Sequence, residues 1–130
     1  MTEIKDREDI EKLVDSFYNK ATIDSIIGHI FQNHMTKTLE KHKPIICDFW
    51  ESVLLDNGNY KGNPIKKHIE LSKRTPLGNF HFKQWFKLWE ETVNELFIGD
   101  IADQAKAKAN LMKELMLIKI RQSENPNFIQ

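Results

Sequence analysis

The feature that most limits what this chain can fold into is a run in which Phe82, Trp85, Phe86, Trp89, Val93, Leu96 and Phe97 recur every three or four residues. That spacing lays them along one side of an α-helix, with lysines and glutamates between them on the other. Asn79 is placed to cap the start of this helix and Gly99 to close it. It is the strongest amphipathic signal in the chain.

The same period continues elsewhere. Ile10, Leu13, Val14, Phe17, Tyr18 and Ala21 predict a first helix of about four turns, capped by Asp6. Asp24 can cap a short second segment holding Ile26, Ile27, Ile30 and Phe31, with Gly28 weakening its middle. A further helix has the apolar face Ile45, Ile46, Phe49, Trp50, Val53 and Leu54. His42 lies on the line of that face, at the helix entrance, because Pro44 lacks an amide hydrogen and fits a first turn. Asp100 caps a last helix in which Ile101, Ala105, Ala109, Met112, Leu115, Met116 and Ile120 face inward. No stretch alternates with period two, so the expected class is all-α.

Residues 56–63 and 72–79 are rich in glycine, asparagine and proline and read as breaks. Between them, Asn63 and Pro64 open a short helix through Ile65, His68, Ile69 and Leu71. This short helix between two loops sets the chain apart from a bundle of equal helices.

The 130 residues are the length of one domain, expected to span 1–130 with a folded core of about 6–121 and a frayed tail at 122–130. Lysine plus arginine and aspartate plus glutamate number 19 each, which gives no net field to draw in nucleic acid or an anionic membrane. The N-terminus is charged from its third residue, unlike a signal peptide, and no run approaches the roughly 18 apolar residues of a spanning helix. Cys47 is the single cysteine, so there is no internal disulfide, no cysteine pair for zinc and no covalent haem motif. A reducing cytoplasmic setting is expected. Three tryptophans and eight phenylalanines supply either plain core or the wall of a site for a flat ligand.

Among the five histidines, His29, His34 and His81 fall in breaks and read as solvated side chains. His68 sits beside Ile65 and Ile69, where an exposed basic residue gains little. Taken alone, such a histidine is more often structural than a ligand.

Four segments alter that reading: FYNK at Phe17 to Lys20 with Ile30 and Phe31 after it, HK…FW at His42 to Trp50, KKHIEL at Lys66 to Leu71, and HFKQWFKLWEE at His81 to Glu91. In this order and spacing they resemble the third group of truncated haemoglobins, over about Ile10 to Lys119. The resemblance implies a globin-like, two-on-two helical sandwich binding noncovalent haem b. It makes His68 the iron ligand; a flat apolar cofactor needs aromatic and branched walls, and Phe31, Ile46, Phe49, Phe82 and Trp89 are candidates for that lining or for plain core. On the distal side it matches Tyr18 and Trp85 to hydrogen-bond donors for the gas ligand and His42 to the distal histidine, with Pro44 a departure from the pattern. Lys43, Lys67, Arg74 and His81 are candidate propionate partners by position.

The implied function is binding of dioxygen, with nitric oxide, carbon monoxide and cyanide as further ligands, and slow oxygen release. Turnover of nitric oxide or peroxide would need an external reductant, hence a reductase partner. The reading from another class is a haem-free helical sensor or interaction domain that keeps a globin-like core.

Overall fold

The computed structural model describes residues 2–30, 39–56 and 77–124. Four helices lie within them: α1 (Arg7–Ala21), α2 (Leu39–Leu55), α3 (Asn79–Leu96) and α4 (Asp100–Glu124). No strand runs through the described residues, and the all-α expectation holds.

Helix α1 forms as its pattern predicts. The Asp6 carboxylate accepts from the Asp9 amide at 3.2 Å, and the Thr22 amide and hydroxyl both donate to the Tyr18 carbonyl at the other end. All six of its predicted apolar residues are buried. In the turn that follows, Asp24 accepts from the amides of Ile26 and Ile27 at 2.9 and 3.0 Å. Burial opposes the Asp24 carboxylate, but the bonds from Ile27, Gln84 and Ile26 outweigh it and hold its pKa below the usual value. Gly28 has a different role from the one expected. A Cβ there would stand 3.0 Å from the Thr22 carbonyl oxygen, so the glycine permits a close backbone approach.

Helix α2 begins earlier than expected, at Leu39, which puts Pro44 inside it and His42 in its first turn. Cys47, Trp50 and Leu54 are buried, whereas Ile45 is 40% exposed and leaves the face assigned to it. α1 and α2 run antiparallel: Arg7 pairs with Asp48 and Glu51 at one end and Asp15 with Lys43 at the other.

Helix α3 is capped by Gly78 rather than Asn79, which is already helical. It ends where Phe97 turns extended, and Gly99, at φ 107°, reverses the chain into α4. The Asp100 start is as expected. The two helices pack antiparallel, with Asn94 bonded to Lys106 and Phe86 beneath Lys113. The Ala102, Ala105 and Ala109 row allows this approach, Met116, Leu117 and Ile120 complete the inner face, and Leu115, expected inside, is 41% exposed.

The ordered framework also reaches outside the 6–121 span. Thr2 forms a β-bridge with Phe97, the Ile98 amide donates to the Thr2 carbonyl at 2.9 Å, and Ile4 is buried. At the other end α4 continues to Glu124. The α1–α2 pair lies on the α3–α4 pair, joined through Lys20 to Glu95 and through Phe17 to Trp85 and Trp89.

Candidate functional site

The three tryptophans form one aromatic file. Trp50 and Trp89 stack with centroids 4.5 Å apart, and Trp85 lies 6.4 Å from Trp89 with planes only 9° apart. Phe17 meets Trp85 and Trp89 edge-on at 6.3 and 5.4 Å. Trp89 donates its indole N–H to the Ala105 carbonyl at 3.1 Å and is 2% exposed. Among the described residues it meets the rings of Phe17, Trp50 and Trp85 within the core cluster. It is part of the core and lies behind Trp85.

Trp85 is only partly buried, and among the described residues no acceptor takes its N–H. Tyr18 adjoins the same cluster, 5.4 Å from the Phe17 ring, and is 7% exposed. Burial pushes its phenol well above the ordinary pKa, and nearby Cys47 acts in the same direction. The Tyr18 hydroxyl is thus held neutral, as an O–H donor. The Tyr18 and Trp85 rings each lie against Phe17, 5.4 and 6.3 Å from its centroid.

On α2, Ile46, Phe49 and Val53 form a row packed against the core yet only partly covered. His42 continues that row by one helical turn. Its Nδ1 is buried and has no hydrogen-bond partner among the described residues. Phe82 on α3 is buried in the same core. A half-covered apolar row, a protonated phenol, an indole N–H and an orphaned imidazole nitrogen suit a flat apolar cofactor that presents a small polar ligand.

The reading of His81 changes. His81, read as solvated, accepts the Gly78 amide N–H on Nδ1 at 3.1 Å and so closes the start of α3. The signal available was a polar side chain three residues after a break. Lys43, a candidate propionate partner, forms an ion pair with Asp15 at 3.0 Å. His68 and Phe31, with Lys67, Arg74 and His34, lie outside the described residues. Among the described residues no group of three or more metal-ligating side chains comes together. No described helix is long and apolar enough to cross a membrane.

Two antiparallel helix pairs crossed over an aromatic centre make this a globin-like, two-on-two sandwich. No family model matches the chain. It is 34% identical over 109 residues to the group 3 truncated hemoglobin ctb of Campylobacter jejuni subsp. jejuni serotype O:2, covering 82% of this chain and 84% of that protein. The crystal structure of the group III truncated hemoglobin from Campylobacter jejuni matches with a TM-score of 0.83 at 29% identity, over 96% of this chain and 99% of that one. The chain belongs to the group III truncated haemoglobins.

Proposed function

We propose that this chain acts as one globin domain that binds haem b noncovalently through His68 and holds dioxygen beside Tyr18 and Trp85. The observation that carries the reading is the pairing around Phe17 of a phenol kept protonated by burial with an indole N–H that no described residue accepts. When bound, haem supplies an iron position for a diatomic ligand. Ile46, Phe49 and Phe82 supply apolar wall from α2 and α3.

The Tyr18 O–H and the Trp85 N–H each carry one proton to donate, and neither is charged at neutral pH. Donors of this kind favour a ligand with partial negative charge, such as dioxygen, over carbon monoxide. At roughly 1 kcal/mol or more per net hydrogen bond, two donors slow oxygen release by on the order of 10². A site that retains oxygen so long suits reaction with nitric oxide or peroxide better than transport, and the electrons come from a separate reductase. The half-buried His42, one turn before Ile46 on the α2 row, controls access. A buried, unbridged Cys47 accords with a reducing cytoplasm.

The test is the oxygen dissociation rate of Trp85→Phe. A rise of about tenfold is expected from the loss of one donor. An unchanged rate removes Trp85 from the role.

A further inference from the structure

Helix α2 carries its proline where the backbone loses a bond. Pro44 is the sixth residue counted from Leu39, so the amide bond that residue 44 would give to the carbonyl of residue 40 is missing. The turn that holds His42 is joined to the rest of the helix more weakly than an uninterrupted turn would be.

Side chains from α1 reach this weak point on both sides. Lys43 lies 3.0 Å from Asp15. Arg7 donates through Nη2 to the Pro44 carbonyl at 3.3 Å and through Nη1 to Asp48 and Glu51 at 2.6 and 3.0 Å. One guanidinium therefore spans from the proline to the firm part of the helix beyond it, a task suited to its rigid fork of donors. His42 sits one residue before the Lys43 tether. Among the described residues its buried Nδ1 has no hydrogen-bond partner, so no bond at that atom ties the imidazole down.

We propose that Arg7 and Asp15 are positioning residues: they set how readily the His42 turn opens at Pro44 and, through it, how readily a ligand reaches the site beside Tyr18 and Trp85. The second half rests on the globin reading above. The tethers to Lys43 and Pro44 exist only while the turn is docked on α1, so removing them shifts the population toward the open turn.

Two experiments decide this. The first follows amide hydrogen exchange at Ile45, Ile46 and Cys47, whose amides bond to the carbonyls of the His42 turn. Arg7→Ala and Asp15→Asn should each speed exchange there by about fivefold, with α4 unaffected. Arg7→Lys should restore little of the protection, since an ammonium lacks the fork. Unchanged exchange, or a rise shared equally by α4, overturns the tether.

The second measures carbon monoxide association with the haem-loaded ferrous protein for Arg7→Ala, His42→Ala and the double variant. Arg7→Ala should raise the rate several-fold when His42 is present and have no effect when it is alanine. An equal effect in both backgrounds overturns the access claim. If the wild-type chain takes up no haem, the globin reading and the access claim fall together, while the exchange result still decides the tether.

Discussion

Trp50 and Trp89 lie nearly parallel, with ring centroids 4.5 Å apart and planes 19° from one another. This contact joins α2 to α3. From the same indole, the N–H reaches the Ala105 carbonyl on α4, and Phe17 of α1 meets the ring edge-on at 5.4 Å. Trp89 thus touches each of the other three described helices, and the sandwich is assembled around it.

Replacing Trp89 with phenylalanine keeps an aromatic ring but leaves the buried Ala105 carbonyl without this donor and opens space beside Trp50. Because the Ala105 carbonyl keeps its partner within α4, a loss of about 0.5–1.5 kcal/mol is expected from the hydrogen bond alone. Urea unfolding should show a lower midpoint with an unchanged slope. A midpoint equal to that of the wild type would remove Trp89 from its central place.

Alkaline pH should weaken the fold through two neighbouring groups. Burial pushes the Tyr18 phenol well above its ordinary value and the Cys47 thiol up to about 11, the latter partly offset by Arg7. Raised folded values mean that the unfolded chain releases these protons first, so the stabilisation is complete below the ordinary values and declines as pH rises past them. Urea midpoints should fall above about pH 9, and Tyr18→Phe should flatten the part of the decline above about pH 10. A variant curve parallel to the wild type would contradict the assignment.

Acid acts at the start of α3. Burial and then the neighbouring His29 hold the His81 pKa below its ordinary value, while its Nδ1 accepts from Gly78. Protonation turns that acceptor into a donor. The contribution is present above the unfolded value of about 6.5 and is lost as pH falls through the lowered one. His81→Ala should therefore lose less stability than the wild type between about pH 7 and pH 5 in urea titrations. Equal losses would show that the cap does not govern this limb.

How much of this was legible in the residues depends on how local the cause is. The α1 face was readable in full because three-and-four spacing reports burial directly, and its Asp6 cap is a contact three residues long. The start of α2 was not, because a proline argues for a helix boundary while the Arg7 that steadies this turn lies 37 positions away in the chain. The buried Ile4 and the pairing of Thr2 with Phe97 also depend on a distant partner. Tyr18 and Trp85 came from family resemblance; periodicity alone places both in the core, and the contrast between Trp85 and Trp89 emerges only when the Ala105 carbonyl is seen to take one indole N–H.

The most direct measurement of the central claim is an absorption spectrum of the purified chain titrated with haem, for wild type and His68→Ala, in ferric, reduced and carbon monoxide-bound forms. Stoichiometric uptake by the wild type is expected, with a strong Soret band that shifts on carbon monoxide binding and loses its histidine-ligated character in the variant. A wild-type chain that takes up no stoichiometric haem would contradict the claim and leave a globin-like fold serving as a haem-free sensor or interaction domain.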